Sequence, residues 1–567
     1  MSVCQLTVLV TSREPLNVSG EYEYLVPPRT LPNPEEGDLT AESVTLFVQR
    51  ARMALHSFNR TDENSSAIAG ICLRLDGLPL AIELAAARIK LFNPHQILER
   101  LDSRLGLLVG GPRDLPDRQR TLRDTIDWSY DLLHVEEQKL FGRLAVFSGG
   151  RTIEAVEAVC RSGDRMQPIE GLESLVNKNL LYQKEGPGSE PRFYMLETIH
   201  EYAHERLRES GEQPLFQNQH LDYYVQLCEK MEPGYTREGQ LVLFHQTEAE
   251  MDNIRSAFEW AMKNGKIETA ARLITAVNYY LRYSTRGLVE GYRLSRRLLP
   301  YQDKISPSHK VSFLIGVSDL AFQNNDLDLY RALSHQALKL ARDLGDKRLE
   351  AWALMQKIDF TKDAQAYERS IQYGHEALDL CRELEDRPGI AYALNRLGEI
   401  YRLGGELDRA RQAYEESLAI CIETGEIYRE LMLKLNLGYV AYREGDYELA
   451  KAFQLAVLAN REFSRKRLWI VTVLAALAGP LAKLGEPEKA VRMLSASARL
   501  MSELGLSVHP NDAPIIEQYK VDLRALLDEN TYANAWAVGQ LMTYDEAVEY
   551  ALGEYLSLVL SMKPLPS

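Results

Sequence analysis

His200 and His204 stand four residues apart, a spacing that puts two imidazoles on one helix face and that metals can use. No third ligand lies nearby, so the pair reads as surface histidines and no metal site is expected. The six cysteines, Cys4, Cys72, Cys160, Cys228, Cys381 and Cys421, form no CxxC pair and no Cys/His cluster; they read as reduced core thiols. Phosphoryl transfer needs a glycine loop whose N–H groups cradle phosphates, a lysine to meet them and carboxylates to hold magnesium. The pattern GxxxxGK(S/T) occurs nowhere in the 567 residues, and the twelve residues before Arg13 hold no apolar strand ending in paired carboxylates. No catalytic residues are therefore expected, and no ATP hydrolysis by this chain alone.

The second half of the chain is organised by a repeat. Pro388–Thr424 reads as two amphipathic helices with a turn at Gly404-Gly405. A shift of 40 residues finds the pattern again: Gly405 aligns with Gly445 and Gly485, Ala410 with Ala450 and Ala490, and Leu418 with Leu298, Leu338, Leu378 and Leu458. Leu394, Leu397, Gly398, Tyr401, Ala410, Tyr414 and Ser417 fall at the spacings of the tetratricopeptide signature, and a period longer than the usual ~34 predicts longer helices. Asn395, Glu399, Arg402, Tyr439, Tyr442 and Arg443 take the first-helix positions that line the concave face of such arrays. There they suit an extended peptide or a partner's helix, or form an ordinary solvated face.

The formal charge of −15 and the pI near 5.4 argue against a chain whose main work is coating nucleic acid. No run of about 18 apolar residues is free of charge, so no membrane span is expected. Met1–Thr11 lacks the basic head and long apolar stretch of a signal peptide, which makes the cytoplasm the expected location. The fold class expected is mainly α. Residues 3–10, VCQLTVLV, and Tyr22–Val26 read as two strands, too few to stand alone as a sheet. Helical periodicity then gives a small bundle over 36–111 and a winged helix over 112–213, in which helices lead to a hairpin across the EGPGSEP turn. A helical connector follows over 214–250, the repeats over 251–507 and a C-terminal cap over 508–567. Residues 114–212 carry 13 Lys plus Arg against 19 Asp plus Glu, and the helix at 168–177 that would enter a DNA groove bears Glu170 and Glu173. Direct DNA binding is not expected.

The first half resembles the STAND or NB-ARC-type bacterial signal-transduction ATPases, which share their nucleotide-binding module with apoptotic and plant immune switches. Val8–Leu16 (VLVTSREPL) resembles that family's sensor strand, Gly77–Ile82 (GLPLAI) its GLPL motif, and Thr121–Ser129 (TLRDTIDWS) the entry to its winged helix. Met195–Ala203 (MLETIHEYA) sits where the family places a Met-His-Asp switch, and Glu250–Trp260 and Ala535–Val548 resemble the segments that open and close its repeat array. The resemblance implies that residues 1–35 are the remnant of a P-loop ATPase domain, that Arg13 senses the terminal phosphate of ATP, and that Gly77 and Pro79 belong to the nucleotide site, with Pro79 against adenine. Met195, Leu196 and Glu197 would form the switch, but Leu196 and Glu197 replace the family's histidine and aspartate, and leucine cannot hydrogen-bond a diphosphate. Arg13 reads also as a partly exposed loop residue, and Gly77-Leu78-Pro79 as a break between helices with proline in the first turn.

These readings describe a regulatory protein, N-terminally truncated relative to that family. It would bind a protein, a peptide or a small inducer on its repeats and relay the event to the winged helix through a two-state packing change. No cofactor is expected; ATP or ADP would bind only if the missing core were supplied. Homo-oligomerisation stays open. Two alternatives remain: a fragment or in-trans half of an ATPase transcriptional regulator that binds ADP or ATP, and a transcription factor that binds DNA through the winged helix.

Overall fold

The computed structural model describes residues 22, 24, 28–33, 41–101, 122–161, 167–358, 364–460, 467–504, 508, 509 and 511–553. The strand expected at 3–10, most of that at Tyr22–Val26, and Arg13 lie outside them. The chain divides into two compact units, residues 1–224 with 249–257, and residues 225–248 with 258–567.

The first unit begins with a bundle of four helices, Glu42–Ala54, Asp62–Arg74, Pro79–Ala87 and Pro94–Arg100. Their starts are written in the sequence. Thr61 with Asn64, and Asn93 with Gln96, form reciprocal capping boxes, and Pro79 and Pro94 occupy first turns where a missing N–H costs nothing. Phe47, Ile68, Ile71 and Ile82 form the buried side. Helices Leu122–Asp131, Val135–Arg143, Ile153–Cys160 and Pro168–Asn177 follow. Next come β1 (Tyr182–Glu185) and β2 (Pro191–Tyr194), paired antiparallel with Tyr182 opposite Tyr194. This hairpin is the one sheet among the described residues. Inside the winged helix, Lys178 bonds the nearly buried Glu137 at 2.7 Å and Ser174 donates to the same carboxylate. The Glu197–Glu209 helix then leaves the hairpin.

The second unit is a stack of helical hairpins. Pro307–Gln323 pairs with Leu327–Leu344, Lys347–Gln356 with Ala364–Glu383, Arg387–Gly404 with Leu407–Thr424, Ile427–Glu444 with Tyr447–Leu458, and Arg467–Lys483 with Pro487–Glu503. The three consecutive helices from Arg387 to Glu444 each have 18 residues and are joined by two-residue links, which is how a 40-residue period arises. Gly405, Gly445 and Gly485 hold φ of +85°, +88° and +86°, a left-handed turn that a side chain disfavours. Ala410, Ala450 and Ala490 are fully buried, at the close approach of the two helices of a hairpin. Leu298, Leu338, Leu378 and Leu458 are buried as well, whereas their register mate Leu418 is half-buried. After the last repeat come Ala513–Leu526, Glu529–Leu541 and Tyr544–Leu552.

Candidate functional site

In the first unit, the residues implied by the ATPase resemblance sit around one turn. Asp76 and Gly77 adopt positive φ (53° and 68°) after the Asp62–Arg74 helix, and Pro79 is the first residue of the next. Gly77 accepts the Arg29 N–H at 3.0 Å, and a Cβ at Gly77 would lie 2.2 Å from the Arg29 carbonyl oxygen. Gly77-Leu78-Pro79 thus breaks one helix and starts another. Asp76 Oδ2 accepts the backbone N–H of Glu197 at 2.7 Å. That bond supplies the cap which Leu196, at the N-cap with an apolar side chain, cannot give. It also holds the turn against the Met195-Leu196-Glu197 segment, in which Met195 is buried, Leu196 half-buried and Glu197 exposed. Nothing in the sequence pairs Asp76 with Glu197, 121 positions away.

The expectation of surface histidines is corrected. His200 donates from Nε2 to the Phe147 carbonyl at 2.8 Å, and burial, helped by the nearby Arg151 charge, lowers its pKa to about 4. His204, 6.4 Å away ring to ring, is half-buried. The helix face they share is covered, which a four-residue spacing cannot reveal. Among the described residues no group of three His, Cys, Asp or Glu side chains could hold a metal ion. Cys72, Cys160, Cys228, Cys381 and Cys421 are buried, and burial pushes the pKa of Cys381 and Cys421 up to about 12.

In the second unit, the concave-face residues build an interior instead of an open groove. Asn395, Glu399 and Arg402 are spaced four and three residues apart, on one face of the Arg387–Gly404 helix, and all three are buried. Asn395 Nδ2 donates to Glu399 Oε1 at 3.1 Å, and Asn436 Nδ2 to Asn395 Oδ1 at 3.2 Å. Residues from beyond the last repeat lie on this face. Arg402 Nη2 donates to Asp512 Oδ1 at 2.8 Å, Asn511 Nδ2 donates to Glu399 Oε2 at 3.2 Å, and the His509 ring meets Phe322 edge to face at 5.2 Å. Tyr439 is fully buried beneath the Arg402 guanidinium, 5.0 Å from its ring centre. Tyr442 is half-buried against Tyr519, which is itself so close to Gly479 that a Cβ there would lie 2.3 Å from its ring. Arg443 alone of the six is exposed, in the last turn of its helix. The solvated-face alternative is therefore overturned for Asn395, Glu399, Arg402 and Tyr439, while Tyr442 is half-covered.

The opposite side is closed by the first helices of this unit. Tyr279 donates to Glu426 at 2.5 Å, the Tyr428 N–H donates to Gln240 at 3.0 Å, and Tyr283 stacks on Trp469 at 5.7 Å. Between these contacts lies a chamber, open at a mouth, with about 70 Å³ of free space, lined among others by Arg282, Tyr283, Arg396, Arg402, Leu435 and Trp469. Its cations are paired: Arg282 with Asp319 at 3.1 Å, Arg396 with Glu399 at 3.6 Å and Arg402 with Asp512. Burial opposes the charge on Arg402, but Asp512 outweighs it, so the pKa is raised and the guanidinium stays charged. Arg282, Tyr283, Trp469 and Asp512 carry no motif; only the fold brings them together.

The fold and these contacts define a helical protein that carries a winged helix and, in its second unit, a tetratricopeptide array whose concave face is largely covered. Residues 349–423 match the tetratricopeptide repeat family and residues 133–208 the winged helix-turn-helix domain family, so both expected modules are present. Over 276 residues, 48% of its length, the chain is 40% identical to proteins of Mycobacterium tuberculosis and Mycobacterium bovis named "Putative HTH-type transcriptional regulator", of which it covers 30%. Over 214 residues, 37% of its length, it is 36% identical to an uncharacterized protein of Mycobacterium tuberculosis, of which it covers 51%. The chain thus spans about a third to a half of the length of these curated relatives. Among solved structures it is similar to a Signal Transduction ATPase with Numerous Domains protein with a tetratricopeptide repeat sensor from Pyrococcus horikoshii. That match has 17% identity and a TM-score of 0.39, and covers 93% of this chain and 75% of the other.

Proposed function

We propose that this chain is a regulatory protein whose repeat array receives a small inducer in its interior and relays that event to the winged helix by binding energy alone. The observation that carries the reading is the chamber inside the array. Asn395, Glu399, Arg402 and Tyr439 are buried by the chain's own residues, so an extended peptide or a partner's helix would first have to displace them. A chamber with about 70 Å³ of free space remains, room for a few waters or a small molecule at roughly 10–15 Å³ per water. The relatives named as regulators support the regulatory role. The acidic balance of residues 114–212 supports the winged helix as an internal switch surface and not a DNA reader. Without a phosphate loop in its sequence, the chain is assigned no ATPase activity of its own.

The test is a thermal-shift panel of small metabolites on the full chain, run beside Met432→Trp, which fills the chamber from a half-buried lining position. Compounds that raise the Tm of the wild type and not of the variant support the reading. Hits that act equally on both, or no hits, contradict it.

The limited share of the regulators that the chain covers favours a second reading, in which these residues are part of a longer ADP- or ATP-binding regulator. Equilibrium dialysis separates the two: sub-millimolar ADP affinity of this chain by itself would favour the second.

A further inference from the structure

We infer that the chamber takes a small organic acid whose carboxylate binds Arg402 in the place Asp512 now holds; the inference rests on the array being an inducer receptor. Three guanidiniums line the chamber, and two have partners built into the repeats. Asp319, which pairs with Arg282, belongs to Pro307–Gln323, and Glu399, which pairs with Arg396, to Arg387–Gly404. Both carboxylates sit on helices of the repeats themselves. Arg402 differs, because Asp512 follows the last repeat, at the N-cap of Ala513–Leu526, where its side chain caps nothing. The contact also leaves part of the guanidinium unused, as Arg282's does at its own Nε. Arg402 Nη2 donates to Asp512 Oδ1, while the buried Nε makes no hydrogen bond. A guanidinium fork is matched best by a carboxylate that takes two parallel bonds.

A second observation comes from the opposite wall. Tyr283 is 1% exposed and lines the chamber, its ring is fixed against Trp469 and Tyr428, and its hydroxyl makes no hydrogen bond. Buried hydroxyls are normally paired, so this one marks a place for a ligand's polar atom. Leu288, Met432 and Leu435 supply apolar wall. One carboxylate, a second polar contact and an apolar or aromatic body describe an amphipathic organic acid. Asp512 acts as its tethered competitor.

Isothermal titration of the full chain with benzoate and with benzamide, which share a ring and differ in charge, tests this. Benzoate should bind the wild type, bind Asp512→Asn about tenfold tighter because the charged competitor is gone, and bind Tyr283→Phe several-fold more weakly. Arg402→Gln should lose at least tenfold, and benzamide should bind none of them. If Arg402→Gln does not fold by circular dichroism, the Asp512→Asn and Tyr283→Phe pair decides. Benzoate binding Asp512→Asn no better than the wild type, or not at all, overturns the inference, as does benzamide matching benzoate. Equal binding of the two compounds that Met432→Trp abolishes would remove the acid and keep the receptor. An empty thermal-shift panel would remove the receptor reading itself.

Discussion

Arg402 shows how much a residue's role depends on what folds back onto it. Its helical position marks it as concave-face, and that much is read from the repeat register. Its partner Asp512 is 110 positions away and belongs to no motif, so the chemistry of the pair is invisible before folding. The same holds for Glu399 with Asn511. Asp512→Ala leaves a buried guanidinium without its carboxylate, so urea unfolding of the array should show a loss of about 3–5 kcal/mol. Asp512→Asn, which keeps a hydrogen-bond acceptor, should lose less. A negligible loss for alanine would mean that Arg402 reaches water. In the winged helix, Lys178→Met should cost a similar amount, since Glu137 would lose its cation at a buried site.

At the scale of elements, the repeat was the most legible part of the chain because it is built from local rules applied again and again. The glycine at the end of a first helix, the alanine at the helix crossing and the leucines of the face recur because each hairpin must solve the same packing problem. Two glycines separate the two kinds of constraint. Gly445 has open space around its Cβ direction but holds φ at +88°, so Gly445→Ala pays only for a left-handed backbone, about 1–2 kcal/mol. Gly398 is helical, yet an added Cβ would lie 2.5 Å from the Tyr414 ring, so Gly398→Ala should lose about 1–3 kcal/mol by overpacking. Chemical denaturation of the two variants, with a crystal structure of Gly398→Ala, checks whether Tyr414 moves. The hairpin of the winged helix was legible from its turn residues. The Asp76 bond to the Glu197 N–H was not, because a cap supplied from another element leaves no local signal.

For the molecule as a whole, the sequence named the modules and missed what the array does with its concave face. A period predicts that a face exists; it does not predict that Tyr279, Tyr283, His509 and Asp512 will close it. Charge and burial add a pH dependence in the first unit. His200 and His220 are held neutral by burial, with pKa values lowered to about 4 from an ordinary value near 6.5. Below the ordinary value the unfolded chain takes up protons that the folded one refuses. The stabilisation is therefore complete above about pH 6.5 and is lost as the pH falls toward 4. Thermal melting of the full chain at pH 7, 6 and 5 should show a falling Tm, and His220→Phe, in the Gln213–Met231 helix, should flatten the slope. The central claim, that the state of the array interior is read by the winged helix, is tested most directly by hydrogen exchange on the full chain, comparing wild type with Asp512→Asn. The account predicts faster exchange at the start of the Ala513–Leu526 helix together with altered exchange within residues 133–208. Faster exchange at that helix with residues 133–208 unchanged would contradict it.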